Sequence, residues 1–359
     1  MEVALYLHIP FCDSKCGYCA FNSTTHQNHL KTVYMEALHK HLLHQIQHLQ
    51  ITKFSSVYIG GGTPSVINSK LYEPIFHILQ PYLPKDSEIN IEANPNSLTL
   101  QWLRDLKSFG INRLSLGVQS FFDKKLQFLE RIHQRDCIPK AFEIIQKAGI
   151  ENISLDLIYG TPFCTKEVLE LELTQASQMP INHLSAYQLS IDEGSRFFLQ
   201  NKQEREGEFE GFSSMGHFIK SYLQSCGFYQ YEVSNYARDY RSKHNLSYWE
   251  RKPYLGVGAG AVSCINNIRS YTQKDIKTYI QTLEKNQEKE NKEILSPQDI
   301  ELETLFLGFR SCVGVAKEKI TNQENLKILL EESKVEKRNN KIYAKDYFLS
   351  DSLVLFLQD

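Results

Sequence analysis

Across its first half the chain alternates short apolar, β-branched runs with longer stretches of helical spacing. The strand candidates are "VALYLHI" (3–9), "SVYIGG" (56–61), "EINIEAN" (88–94), "RLSLGVQ" (113–119), "NISLDLIYG" (152–160) and "HLSAYQLSI" (183–191). Helical patterns lie between them at 28–50, 68–80, 98–109, 123–129, 136–148 and 165–178. Strand–helix units in that order predict an α/β fold on a parallel sheet. Right-handed crossovers would wind such a sheet into a full or partial barrel. The polar and glycine residues sit at the C-terminal ends of these runs. Three cysteines follow 3–9 and "GGGTPS" ends the second run, while Glu92, Gln119 and Asp156 fall in "IEANP", "GVQS" and "SLDLIYG". In parallel α/β folds these ends form the active face.

Beyond about residue 205 the rhythm changes. "SSMGHFIKSYLQSCGF" predicts one amphipathic helix and "YQYEVSNYAR" a strand. "HNLSYWERKPYLGVGAGAVS" (244–263), aromatic and then glycine-rich, predicts a loop. "EKNQEKENKE" (284–293) predicts a solvated helix end or linker. The C-terminal stretch, with "ETLFLGFR" and "SDSLVLFLQ", predicts a small α/β domain. The expected organisation is therefore a barrel over 1–205, an extension over 206–283 and a small domain over 284–359.

The net charge of −2 across 359 residues argues against a broad electrostatic footprint for nucleic acid or anionic lipid. "MEVALYLHIPFC" has no basic leader region, and no run approaches 18 uncharged apolar residues. Five of the eight cysteines (Cys137, Cys164, Cys226, Cys264 and Cys312) are scattered singly, unlike a secreted framework. These features predict a cytoplasmic protein with reduced thiols, the scattered cysteines acting as small core hydrophobes.

The other three cysteines crowd "FCDSKCGYCAFNS" (11–23), with Cys12, Cys16 and Cys19 spaced C-x3-C-x2-C. Three is an awkward number. A structural zinc site takes four ligands, which would call on His8 or His26. A [4Fe–4S] cube held by three thiolates instead keeps one iron open to an amino and carboxylate chelate from a small molecule.

With Tyr18 before the last cysteine, this motif resembles the radical S-adenosylmethionine superfamily. "YLHIPFC", "GGGTPS", "IEANP", "LGVQSF", "LDLIYGTP" and "AYQLSIDEGS" are similar to the oxygen-independent coproporphyrinogen III oxidase group, over nearly the whole chain. The resemblance implies a partial (β/α)6 TIM-like barrel with a smaller C-terminal α/β domain. It also implies that Cys12, Cys16 and Cys19 hold the cluster. Gly61, Gly62 and Thr63 would receive the methionine amino group, and Tyr6, Tyr18, Glu92, Gln119, Arg131 and Asp156 would line the S-adenosylmethionine. Read without the family, their bland alternatives are helix caps or surface salt bridges, and for Tyr18 simple packing.

Two features separate branches of the group. The oxidases carry a further cysteine two residues after the third, where this chain has Phe21. "HNLSYW" (244–249) resembles the H-N-x-x-Y-W motif of the haem-chaperone branch. His244 offers an imidazole, and Tyr248 and Trp249 offer flat faces to a macrocycle. A loop with packed aromatics and a solvated histidine is the bland alternative. The cysteine motif begins close to residue 1, which leads one to expect a chain without the oxidases' N-terminal extension. The resemblance implies a carrier that binds haem, a [4Fe–4S] cluster and S-adenosylmethionine, and delivers haem to respiratory-chain haem proteins. Any membrane contact would be peripheral, and coproporphyrinogen III oxidation is the alternative activity. His41, His44 and His48 share one helix face, read as a solvated face in preference to a metal site.

Overall fold

The computed structural model describes residues 1–200, 212–285 and 290–358. The six predicted strands form as β1 (Glu2–Ile9), β2 (Lys53–Gly61), β3 (Glu88–Ala93), β4 (Arg113–Gln119), β5 (Asn152–Tyr159) and β6 (His183–Gln188), paired in parallel in sequence order. The intervening helices are α1 (Lys31–His48), α2 (Glu73–Leu79), α3 (Leu100–Phe109), α4 (Asp123–Phe128), α5 (Cys137–Ala148) and α6 (Lys166–Gln178). Local chemistry sets their ends. Thr99 and Thr165 accept hydrogen bonds from the first-turn amides of α3 and α6, while Gly110 and Gly149 close α3 and α5 in the left-handed region.

The strands alternate with an unusual polarity. One set of side chains (Leu5, Leu7, Val57, Ile59, Ile89, Ile91, Leu114, Leu116 and Leu155) packs outward in the main core. The other set faces the lumen and is polar: Tyr6 and His8, Ser56 and Tyr58, Glu88, Asn90 and Glu92, Ser115, Ser154 and Asp156. Period-two alternation makes this split automatic once the register is set. The lumen residues confirm it by bonding one another, as in Tyr58 to Glu92 at 2.7 Å and Ser115 to Asp156 at 3.1 Å.

After β6 come the short helix α7 (Arg196–Leu199), then α8 (Phe212–Ser225), β7 (Tyr229–Gln230) and β8 (Asn235–Ala237). The predicted amphipathic helix is α8, whereas the single predicted strand is two, bent at residues 231–234. β8 joins the β6 edge, and β9 (Tyr254–Val257) joins the opposite edge beside β1. Residues 238–253 must therefore cross the open side of the barrel. They carry helix α9 (Lys243–Trp249). The expected loop over 244–263 is thus a helix followed by β9 and β10 (Val262–Ile265). β11 (Ile268–Tyr271) and β12 (Asn291–Ile294) extend the same sheet, with α10 (Ile276–Glu284) between them. The charged run 284–293 thus ends in a strand, its residues 286–289 lying outside the described part.

A second sheet, β13 (Val315–Ala316), β15 (Lys341–Ala344) and β14 (Val335–Arg338), is wrapped by α11 (Pro297–Phe309), α12 (Gln323–Glu331) and α13 (Ser350–Gln358) around its own core of Leu305, Phe309, Ile342 and Val354. The expected division at 205/206 lies outside the described residues. No helix among the described residues is long and apolar enough to cross a membrane.

Candidate functional site

The cysteine loop leaves β1 at Ile9 and is closed at its base. Thr24 N donates to Pro10 O at 2.7 Å and Cys12 N to Thr24 O at 3.0 Å, while Cys19 N turns back to Cys16 O. Its neighbour is the glycine edge, where Gly62 N donates to Ile9 O and Thr63 N to Phe11 O, both at 2.8 Å. The approach requires glycine. A Cβ on Gly62 would stand 2.9 Å from Cys12 Sγ and 2.7 Å from Phe11 O, and Gly61 has a φ of +118°.

A cavity of about 350 Å³ opens there, at the C-terminal ends of the strands. Cys12, Cys16, Cys19, Tyr18, Gly61, Gly62, Thr63, Glu92, Gln119, Arg131 and Asp156 all line it. Of the residues assigned to this side, Tyr6 alone lies elsewhere. The additional lining of Tyr58, Asn94, Ser115 and Tyr187 was not picked out from sequence, although their alternation with apolar strand neighbours marked them as lumen-facing. None of the carboxylates is a surface salt bridge. Burial pushes Glu92 up to about 7 against the hydrogen bonds from Tyr58 and Gly61 N, and burial raises Asp156 against bonds from Ser185 and Ser115. Arg131 is held by neighbours within the chain. Its Nη1 faces Cys16 Sγ at 3.6 Å, and its Nη2 donates to Asn94 Oδ1 at 2.6 Å and Gly117 O at 2.9 Å.

The thiols are free, and burial raises those of Cys12 and Cys19. Among the described residues no three His, Cys, Asp or Glu side chains converge on a single metal ion. His8, one candidate for a fourth zinc ligand, is engaged by Tyr6 OH at 3.0 Å and Asn22 O at 2.8 Å, and His26 is exposed. A cube instead meets each thiolate with a separate iron, so its ligands surround a volume, not a point. Two further observations fit a ligand beside such a cube. Gln119 Oε1 is buried on the cavity wall with no hydrogen-bond partner, and Gln119 itself is held at a φ of +65°. Buried acceptors without donors are rare in folded chains, and strained backbone concentrates at sites.

A second cavity, of about 390 Å³, lies alongside. Its lining includes Tyr6, His8, Phe21, Tyr58, His244, Tyr248, Tyr254 and Gly260. His244 is not the solvated histidine of the bland reading. It is buried, its Nδ1 paired with Ser56 Oγ at 2.8 Å and its Nε2 with Tyr248 OH at 3.0 Å. Burial first, then the charge of Arg113, push it down to about 3. Tyr248 lies one helical turn on and shares this face, whereas Trp249 is not part of the lining. The helix is held from outside itself: Glu88 accepts hydrogen bonds from Ser242 Oγ, Lys243 N and His244 N at 2.9 to 3.1 Å.

Of the remaining sequence candidates, His41 is buried and bonded to Tyr279 OH at 3.1 Å, while His44 and His48 stack on each other. The scattered cysteines are not all core: Cys164 is buried, but Cys137, Cys226, Cys264 and Cys312 are part-exposed.

A thiol triad on the loop after the first strand, beside a glycine edge on the active face of a parallel barrel, is the arrangement of the radical S-adenosylmethionine superfamily, whose family model matches residues 6–172. Relatives described as haem chaperone HemW are similar over most of their length. The Bacillus subtilis (strain 168) protein is 34% identical over 333 residues, covering 89% of this chain and 86% of that protein. The Synechocystis protein is 36% identical, covering 88% and 79%, and the Escherichia coli (strain K12) protein 34%, covering 72% and 69%. The chain belongs to the HemW haem-chaperone family. Its fold is also that of the radical SAM enzyme coproporphyrinogen III oxidase (HemN) from Escherichia coli, with a TM-score of 0.83 at 22% identity over 99% of this chain and 90% of that one.

Proposed function

We propose that this protein is a haem carrier. The first cavity would hold a [4Fe–4S] cluster on Cys12, Cys16 and Cys19, with S-adenosylmethionine between the glycine edge and Glu92, Gln119, Arg131 and Asp156. The second would take haem against His244, Tyr248 and Tyr58, for delivery to haem proteins of the respiratory chain. A bound and reduced cluster would supply one-electron chemistry towards S-adenosylmethionine. The chain's own residues do the rest. Glu92 and Asp156 accept hydrogen bonds from ammonium or hydroxyl groups, Gln119 Oε1 offers an unused acceptor, and the barrel wall excludes water.

The observation that carries this reading is the second cavity, whose aromatic lining comes from three separate parts of the chain and includes the face of α9. Its lining contains no lysine or arginine, so a macrocycle's carboxylates would face outward while its flat apolar body is buried.

Two measurements test it. Haemin titrated into the protein should bind saturably with a Soret shift, and His244→Ala should change that spectrum; no saturable binding refutes the carrier reading. Reduced, cluster-loaded protein given coproporphyrinogen III and S-adenosylmethionine should yield no protoporphyrinogen. Its formation would establish the alternative, an oxidative decarboxylase. Separately, Cys16→Ala should abolish the broad absorption near the visible–ultraviolet boundary, because two thiolates do not hold the cube.

A further inference from the structure

The two cavities are neighbours with a common wall, and Tyr58 is its anchored member. Tyr58 lines both. On one side its hydroxyl donates to Glu92 Oε1 at 2.7 Å, and Gly61 N holds the other carboxylate oxygen at 3.1 Å. On the other side its ring lies 5.2 Å from that of His244 and 6.2 Å from that of Tyr6. The close approach of Tyr58 and Glu92 is built in. A Cβ on Gly60 would stand 2.8 Å from Tyr58 Cε1 and 2.9 Å from Glu92 Oε1, so a side chain there would wedge the pair apart. Phe21 also lines both cavities, but it is 69% exposed and has no such tether.

We infer that Tyr58 couples the two sites, so that S-adenosylmethionine in the first cavity tightens the binding of haem in the second. This rests on the assignment of those two ligands made above. The sign follows from the hydrogen bond. A cationic ligand beside Glu92 favours the ionised carboxylate, and a hydroxyl donated to a carboxylate is held more firmly than one donated to a neutral acid. The tyrosine ring is then fixed against His244, and a macrocycle meets a wall that is already ordered. One side chain spans both ligands, so no longer pathway is invoked.

The test is a linkage cycle on cluster-loaded protein. Haemin affinity is measured with and without saturating S-adenosylmethionine, and S-adenosylmethionine affinity with and without haemin. Wild type should show the same coupling factor in both directions, about fivefold or more. Tyr58→Phe keeps the ring and removes the tether. The factor should fall to near one whatever happens to the separate affinities, with the melting temperature reported alongside. Phe21→Ala should retain the factor. If both ligands bind wild type independently, the coupling is refuted while the carrier reading stands. If the factor survives in Tyr58→Phe or vanishes in Phe21→Ala, Tyr58 is not the coupling element. If wild type binds no haemin, the carrier reading fails and the coupling with it.

Discussion

At the scale of single residues, close approach and burial decide the site. Gly62 is a packing requirement of the cysteine loop, since any side chain there meets Cys12 Sγ and two carbonyl oxygens. Gly62→Ala should therefore cost about 1–3 kcal/mol as overpacking. It should also displace Cys12 and lower bound iron and sulfide well below the wild-type content. Full cluster loading in that variant would contradict the close contact. The buried carboxyl of Glu232 makes a different prediction. Burial raises it from 4.5 to about 8, against hydrogen bonds from Ser234 and Asn235 amides. The folded chain thus keeps a proton that the unfolded chain has released. The stability contribution is complete below about pH 4.5 and is lost as the pH rises towards 8, at most a few kcal/mol. Glu232→Gln should flatten that slope and raise the melting temperature at pH 8 relative to wild type. A slope unchanged by the substitution would remove Glu232 as its source. The cysteine spacing was legible because its ligands are local. Tyr6, expected beside the first cavity, lines the second, because a strand position does not reveal which part of a lumen lies beside it.

At the scale of elements, α9 is the instructive case. It has seven residues, too few to display a helical period, and glycine-rich sequence follows it. Short helices are not stable by propensity. What makes this one form is Ser242, which accepts from Asn245 N, together with Glu88 reaching its first amides from a strand more than 150 residues earlier. A buried carboxylate at a helix N-terminus satisfies donors that would otherwise be orphaned. Glu88→Ala should destabilise the protein by about 2–4 kcal/mol through three lost charge-assisted bonds. It should weaken haemin binding more than S-adenosylmethionine binding, as separate titrations would read. Equal losses for both ligands would mean that Glu88 supports the barrel generally instead of α9. Of the glycines of 244–263, Gly258 and Gly260 do lie in the turn between β9 and β10, at positive φ, whereas Gly256 is a strand residue: a Cβ there would stand 2.2 Å from Val262 O across that turn.

At the scale of the whole molecule, the order of the edge strands creates the second cavity. β8 extends one side of the six-stranded sheet and β9 the other, so the chain between them must close the lumen, and it does so with α9. The C-terminal unit is joined to this assembly by backbone bonds, Val233 N to Arg310 O at 2.9 Å and Cys312 N to Tyr231 O at 2.8 Å. Arg251 and Arg269 add a shared ion pair on Glu303. Glu303→Ala removes this shared partner, leaving Arg269 on Glu293 and Arg251 on Asn267. It should lower stability by about 1 kcal/mol, since such pairs are partly screened. A loss of several kcal/mol in denaturant titration would show instead that the junction is a principal support of the fold.

The sequence by itself determined the parallel strand–helix order, the face that carries the chemistry and the motif residues of the first cavity, though not its lining by Tyr58, Asn94, Ser115 and Tyr187. Each of these follows from local periodicity or from motifs attached to strand ends. Tertiary structure alone decided that the lumen is closed by a helix, that His244 is buried between Ser56 and Tyr248, and that one tyrosine lines two cavities. Those facts depend on which edges pair and on contacts between residues far apart in the chain, and no local pattern encodes them.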